Sequence, residues 1–220
     1  TVDACVEAAV AAALAAHGRI DAVIHNAGIV PVGVSEAFST ADLQSLLETN
    51  FVGCHRIHQA VLPSMRARRQ GLLLHVWSIA GRLVTPLFFS LYSASKVALE
   101  ATAEGLRYAL APFGTDSAIL KPGPFATGLF AQAPRPSREE VLGSYGPVTA
   151  EADGVAQALE ARVFTAFPAE TNLQLVVDAF VALVEAEPGE RPRLSCVGID
   201  FGARALNADM EPHRLSALAA

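Results

Sequence analysis

The sequence has few cysteines, few charged residues and no long apolar run, and each scarcity excludes a class of protein. Cys5, Cys54 and Cys196 lie far apart and fit no metal-binding or disulfide spacing. They are predicted to be small buried residues in a reducing compartment, the cytoplasm. No apolar run approaches the ~20 residues that a membrane helix requires, so no membrane partner is expected.

The charge balance argues against a nucleic-acid partner. Charged residues make up 17% of the chain, and 16 basic against 22 acidic side chains give a formal net charge of −6. The one basic cluster, 66–69, lies at the end of a predicted helix, where basic side chains complement the helix dipole. With 52% hydrophobic residues over 220 positions, the chain is predicted to fold as a single packed domain, 1–220.

Apolar periodicity predicts helices and strands that alternate along the chain. Strands are predicted at 20–25, 72–77, 117–120 and 194–197, and helices at 2–16, 39–50, 52–69, 91–113 and 172–185. The segment 131–154 is rich in proline, glycine and charge and is predicted to be a substrate loop or lid. Strands separated by helices imply a parallel sheet with right-handed crossovers, so the fold class is α/β in three αβα layers.

Polar or turn-forming residues follow three of the predicted strands. Asn26, Ser78 and Pro122 each come directly after a strand. Ligands of open parallel sheets bind outside the carboxyl ends of the strands. These three positions therefore predict one ligand crevice.

Tyr92 and Lys96 are four residues apart, so on a helix they project from one face. A phenol with an ordinary pKa near ~10 is a poor proton shuttle at neutral pH, and a neighbouring ammonium is expected to lower that pKa. Ser78 can donate a hydrogen bond to a substrate oxygen. None of these groups can donate a hydride, so this chemistry would need an organic cofactor.

Five motifs in this order resemble the short-chain dehydrogenase/reductase family. They are His25-Asn26-Ala27-Gly28, Asn50 within 49–53, Trp77-Ser78-Ile79-Ala80-Gly81, Tyr92 with Lys96, and Pro122-Gly123 followed by Thr127. The similarity extends from Val2 to about Gly198. His25 and Trp77 depart from the pattern, which has asparagine and serine there.

The resemblance implies a Rossmann-like, doubly wound parallel sheet and hydride transfer between NAD or NADP and an alcohol or ketone. It implies a catalytic set of Asn50, Ser78, Tyr92 and Lys96. It implies that Asn26, Ala27, Gly28, Tyr92, Lys96, Pro122, Gly123 and Thr127 bind the cofactor. In these roles Tyr92 is the general acid/base, Lys96 holds the nicotinamide ribose and Asn50 completes a proton relay. A homodimer or homotetramer through the helices starting near 52 and 91 is also implied.

One family element is not in the sequence. Family members begin with strand-helix-strand units that carry a glycine-rich loop, Thr-Gly-x-x-x-Gly-x-Gly, around the cofactor pyrophosphate. Here the chain starts at Thr1, in the helix before the family's fourth strand. We therefore expect an N-terminally truncated sheet whose strand 20–25 forms an apolar edge. The family residue that selects between the 2′-hydroxyl of NAD and the 2′-phosphate of NADP is also missing. The sequence therefore does not distinguish the two cofactors.

Three questions stay open at this stage. A catalytically inactive, family-derived module that only folds or associates is the alternative to an enzyme, and epimerisation or dehydration is a third possibility. His55 and His58 have helical metal-ligand spacing but no third ligand nearby in sequence, so no metal site is predicted. The aromatic residues near the motifs fit a substrate pocket or core packing equally well; they are Phe88, Phe89, Phe125, Phe130 and Tyr145.

Overall fold

Four parallel strands form one sheet in the computed structural model, which describes residues 2–81 and 88–218. The strands are β1 (Ala22–His25), β2 (Gly71–Val76), β3 (Thr115–Pro122) and β4 (Leu194–Val197). They pair in the order β1-β2-β3-β4, with His25 opposite His75 and Val76 opposite Leu120. The predicted parallel α/β sheet is therefore confirmed.

Helices lie between the strands and on both faces of the sheet. In chain order they are α1 (Asp3–His17), α2 (Thr40–Leu47), α3 (Gly53–Arg68), α4 (Ser90–Leu110), α5 (Glu139–Ser144), α6 (Pro147–Asp153), α7 (Val155–Leu159), α8 (Gln174–Glu185) and α9 (Ala203–Leu218). The start of α2 is fixed by the predicted capping box between Ser39 and Asp42. Gly18 ends α1 in the left-handed conformation. None of the helices among the described residues is long and apolar enough to cross a bilayer.

The two faces of the sheet follow from the alternation of side chains along β2. Leu73 packs toward α3 and α4 with Met65 and Leu110. Leu72 and Leu74 point to the opposite face, where Leu183 of α8 covers them. All six residues of β2 are buried, as expected for a central strand with helices on both sides.

The helices predicted at 39–50 and 52–69 are one continuous element. A π-helical turn, Glu48–Val52, joins α2 to α3 without a break. Residues Leu47, Val52 and Gly53 all keep right-handed helical dihedral angles, so nothing there ends the helix. Single π turns inside α-helices are frequent at functional sites, and this one contains Asn50.

The segment 131–154 is not a continuous loop. Its first part, 131–138, lacks regular structure, but α5 and α6 follow. Pro147 does not prevent α6 because it stands in the first turn, where its missing N–H leaves no bond unmade. The sequence patterns also did not predict α7 or α9.

Among the described residues, the edge strand β1 and one face of α8 expose apolar side chains. β1 pairs only with β2, so it forms an edge of the sheet, and Ile24 is 43% exposed. On α8, Val177, Val181 and Val184 are exposed along one face. The expectation of an apolar edge strand is thereby confirmed for the described residues.

The three cysteines are free thiols in different environments. Cys54 is buried and Cys196 is half-buried, but Cys5 is exposed. The prediction that all three are buried was wrong for Cys5, because no residue of α1 is fully buried.

Candidate active site

A cavity of about 680 Å³ opens at the carboxyl ends of β1, β2 and β3. Asn26, Ser78 and Pro122 all line it, as the strand-end pattern predicted. Tyr92 and Lys96, on the first two turns of α4, form part of the same wall. The volume lies within the ~300–1,000 Å³ range of small-molecule sites.

The Tyr92 hydroxyl is hydrogen-bonded to the Ser78 side chain. Ser78 also accepts a hydrogen bond from the Ala80 N–H at 3.2 Å, which fixes its rotamer in the short 3₁₀ turn after β2. Tyr92 is only 8% exposed. Two hydroxyls are therefore held together at the cavity wall, where one substrate oxygen could contact both.

The pKa of Tyr92 runs opposite to the expectation from sequence. Burial raises it to about 12, and the hydrogen bond from Ser78 only partly offsets that effect. The Lys96 ammonium does not contribute to this shift; its Nζ lies over the Tyr92 ring, 5.6 Å from the centroid, and donates its hydrogen bond to the Val76 carbonyl. The phenol is thus protonated throughout the neutral range in this chain.

Lys96 is a buried ammonium with a backbone partner. Its Nζ donates a hydrogen bond to the Val76 carbonyl at 2.9 Å, at the end of β2. Burial lowers the pKa of Lys96 to about 8. A Cβ atom at Gly28 would lie 3.7 Å from this nitrogen, so the lysine faces the turn after β1. Lys96 therefore joins the ends of β1 and β2 at the floor of the cavity.

Asn50 lies behind the cavity wall instead of lining it. Its side-chain amide donates to the Ile29 carbonyl and accepts from the Ile29 N–H, both at 2.9 Å. It also donates to Ser95 Oγ at 3.0 Å, and Ser95 donates to the Tyr92 carbonyl. The structure thus gives Asn50 a positioning role between the 26–29 turn and α4, and its proton relay stays a prediction.

The loop after β3 completes the cavity. Pro122, Gly123 and Thr127 all line it. The Gly123 N–H donates to the Val197 carbonyl at 2.8 Å, which holds the loop against the end of β4. A Cβ atom at Gly123 would lie 2.0 Å from the Ile199 carbonyl oxygen, so only glycine allows this approach.

Gly123→Ala is expected to lower the free energy of unfolding by about 1–3 kcal/mol, because the new methyl group must displace backbone. The matched control is Gly143→Ala in α5, where a Cβ meets nothing within 4 Å. That variant is expected to be neutral or stabilised by up to ~1 kcal/mol. Urea unfolding of the three proteins measures both effects. Equal stability of Gly123→Ala and the parent chain would contradict the close approach.

Apolar side chains form the rest of the cavity wall. Phe89, Phe125 and Phe130 line it, so three of the five aromatic residues that flank the motifs belong to the pocket. Tyr145 does not; it is half-buried, and its hydroxyl donates to Glu36 at 2.7 Å. Sequence reasoning missed the more distant lining residues, which are Leu159, Leu173, Val176 and Phe201. These come from the last third of the chain, where no motif marks them.

Trp77, the departure from the family serine, has a structural place that the sequence did not suggest. Its indole N–H donates to the Lys96 carbonyl. Lys121 Nζ lies 3.8 Å from the centroid of the Trp77 ring, a cation–π contact. The indole therefore braces α4 against the end of β2, next to Tyr92.

Comparison with known proteins agrees with this geometry. The sequence profile described as short chain dehydrogenase matches residues 1–137. Human retinol dehydrogenase 8 is 39% identical over 127 residues, which are 57% of this chain and 40% of that enzyme. Human 17-beta-hydroxysteroid dehydrogenase type 1 is 39% identical over 125 residues, 57% of this chain and 38% of that enzyme. The chain thus matches about two fifths of the length of these relatives.

Two solved structures are similar to the chain, one of them over its whole length. A short-chain dehydrogenase from Streptomyces avermitilis superposes with a TM-score of 0.74 at 27% identity, covering 100% of this chain and 78% of that one. A gluconate 5-dehydrogenase from Burkholderia cenocepacia, solved with NADP and tartrate, gives a TM-score of 0.56 at 28% identity over 70% of this chain and 63% of that one. Profile, sheet topology and strand-end cavity lead to one conclusion: the chain belongs to the short-chain dehydrogenase family of oxidoreductases.

Proposed function

We propose that this chain interconverts an alcohol and a ketone or aldehyde by hydride transfer with NAD or NADP. The observation that supports this most is the hydrogen-bonded pair of Tyr92 and Ser78 hydroxyls on the wall of the 680 Å³ cavity, next to Lys96. Hydroxyl donors fixed before the reaction stabilise charge that develops on a substrate oxygen.

Each residue would have a separate role. In the reducing direction Tyr92, protonated because its pKa is about 12, gives its proton to the substrate oxygen. Ser78 donates a hydrogen bond to the same oxygen and orients it. Lys96, charged at neutral pH because its pKa is about 8, would hold the ribose hydroxyls. Asn50 keeps the 26–29 turn and α4 in register.

The residues present fit the nicotinamide half of the cofactor. Asn26, Ala27, Gly28 and the Pro122–Thr127 loop surround the cavity floor. A Cβ atom at Gly28 would make ordinary contacts, 3.4 Å from Asn50 Oδ1 and 3.7 Å from Lys96 Nζ, so Gly28 lies beside both polar groups. When bound, NAD(P)H would supply the hydride that no side chain can donate, and NAD(P)+ would accept it in the oxidising direction.

The substrate is proposed to be an apolar alcohol or carbonyl compound. Phe89, Phe125 and Phe130 give the cavity a mainly apolar wall. Two relatives are named for retinol and for a 17-beta-hydroxysteroid, both apolar alcohols. The unstructured segment 131–138 and the helices α5 and α6 would act as the substrate lid.

The proposed assembly is a cytoplasmic homodimer or homotetramer. Along α4 the exposed residues Ala94, Val97, Ala101, Gly105 and Tyr108 recur at three- and four-residue spacing. Small side chains allow close approach of two helices, and such a stripe fits a second copy of α4. Sedimentation of the purified chain tests this assembly.

Titration with NADH and with NADPH, followed by nicotinamide fluorescence, tests the function first. Saturable binding of one of them is expected, together with at least tenfold weaker binding by Lys96→Met. His55→Gln, on the exposed side of α3, is the control and should bind as the parent chain does. Turnover is then measured with apolar secondary alcohols and the bound cofactor.

The opposite result has a defined meaning. A folded chain that binds neither nucleotide would contradict the proposal for these 220 residues. It would favour the alternative of an inactive module whose helices only fold or associate. Circular dichroism of the same sample shows whether the chain is folded.

A further inference from the structure

Three buried histidines that the proposed chemistry does not use meet beneath the cavity. His25 ends β1, His75 lies opposite it on β2, and His58 projects from α3. They are 5%, 0% and 2% exposed respectively. Ring centroids are 4.9 Å apart for His25 and His75, 4.6 Å for His25 and His58, and 5.2 Å for His58 and His75. Each ring therefore contacts the other two.

The ring nitrogens of this cluster lack hydrogen-bond partners among the described residues. They are His25 Nε2 and both nitrogens of His58 and His75. Buried polar atoms are nearly always paired, and an unpaired group in a native structure calls for an explanation such as an ion. Five unpaired nitrogens in one place are too many for ordinary packing. Each is a potential metal ligand.

We propose that His25, His58 and His75 bind one divalent transition-metal ion, with Zn²⁺ as the best-fitting ion. One nitrogen of each ring lies within 4.8 Å of one nitrogen of the others. Around Zn²⁺, with Zn–N distances of ~2.0–2.1 Å, tetrahedral ligand nitrogens are about 3.3 Å apart. Ring rotations that move the nitrogens by about 1 Å would close the site.

The chemistry of the ligands selects the class of metal. Imidazole nitrogen suits zinc, cobalt, nickel and copper, whereas magnesium and calcium prefer oxygen ligands.

The position of the cluster gives the ion a structural role. Asn26 follows His25 directly, and Val76, whose carbonyl binds Lys96, follows His75. An ion here would join the ends of β1 and β2 to α3 directly below the proposed nicotinamide floor. Because all three ligands are buried, the ion would not contact substrate. The sequence concealed the site, since its spacing paired His58 with His55 instead.

Equilibrium dialysis against ZnCl₂, followed by metal analysis, tests the proposal. One Zn²⁺ per chain is expected, and the melting temperature should rise by about 5–10 °C at free Zn²⁺ a hundredfold above Kd. His58→Leu should bind none and show no thermal shift. His55→Gln, three residues away but exposed and outside the cluster, should behave as the parent chain does. Replacement by Co²⁺ should give the visible absorption of a tetrahedral complex.

His25→Asn is the second variant in case His58→Leu does not fold, and it should also lose the ion. Equal zinc content and equal thermal shift in the parent chain and a folded cluster variant would overturn the proposal. So would the absence of zinc from the parent chain, which would leave the three rings as packing residues. None of these measurements depends on oxidoreductase activity, so failure of this site and failure of the proposed function are distinguishable.

Discussion

Tyr92→Phe is expected to lower kcat by about 10²–10⁴-fold, the usual contribution of a general acid or base. The phenol is the protonated group that shares a hydrogen bond with Ser78 at the cavity wall. Removing its oxygen leaves the ring packed with Phe89 and Phe130. The proton that the substrate oxygen needs would then have to come from water.

The fold should survive this substitution. Tyr92 loses one hydrogen bond, which costs about 1 kcal/mol, and its ring keeps the same apolar neighbours. KM and cofactor binding should change little because the phenyl ring is retained. Steady-state kinetics with the bound cofactor and a urea unfolding curve of the same sample measure the two effects.

Tyr108→Phe is the matched control for this experiment. Tyr108 lies on the same helix, α4, but is 44% exposed and bonds to Arg214 at the surface. Removal of the Tyr108 hydroxyl should leave kcat within about twofold of the parent value, because substitutions on the surface usually have small effects. If Tyr92→Phe retained full turnover, Tyr92 would have no part in the proton transfer.

Lys96→Met is expected to abolish turnover and to change how stability depends on pH. Burial lowers the pKa of Lys96 from 10.5 to about 8. At ~1.36 kcal/mol per pH unit, the buried charge destabilises the fold by about 3 kcal/mol below pH 8. The substitution removes this destabilising charge, but it also removes the hydrogen bond to the Val76 carbonyl, which costs about 1–3 kcal/mol. The variant should therefore be about as stable as the parent chain at pH 7.

The sign of the pH effect follows from proton binding. Between pH 8 and 10.5 the unfolded chain holds the Lys96 proton while the folded chain loses it, so the parent chain gains stability as pH rises. Lys96→Met lacks this gain. Across that window the free energy of unfolding of the variant should fall below that of the parent chain by about 3 kcal/mol. This difference reports on Lys96 alone, because the two proteins share all other titratable groups. Urea unfolding at pH 7, 9 and 10.5 measures it.

Lys121→Met is the contrasting control. Lys96 and Lys121 are the two lysines of the sequence, and both are buried. Lys121 forms an ion pair with the buried Glu100 at 2.8 Å, so its removal breaks a buried ion pair. Such a loss destabilises by about 3–5 kcal/mol at neutral pH. Parallel pH curves for the parent chain and Lys96→Met would show that Lys96 is not desolvated as described.

Local and periodic features were predictable from the sequence. Every predicted strand is present, and the capping box at Ser39 and the left-handed Gly18 stand where their residue types require. Each of these depends on neighbours within a few residues or on a two- or 3.6-residue period, so no tertiary information is needed. The juxtaposition of Asn26, Ser78 and Pro122 followed from the rule for parallel strands, because all strands point the same way.

Features that depend on long-range contacts were not predictable. One example is the π turn that joins α2 to α3. It contains Asn50, whose side-chain amide is hydrogen-bonded to Ile29, 21 residues earlier in the chain. Helix α9 contains Pro212 and has no clear apolar period, so only packing reveals it. The raised pKa of Tyr92 reflects burial, and burial is not encoded in a Tyr-x-x-x-Lys spacing.

The motif residues and their order were enough to establish the fold class, the family resemblance and the candidate groups around the cavity. Only the folded chain decided how those groups meet: Lys96 on the Val76 carbonyl, Asn50 behind the wall, and His25 and His75 side by side with His58. The reason is that residue type and short spacing determine local conformation, whereas desolvation, register between strands and side-chain encounters depend on distances that the chain acquires only when the sheet and helices pack.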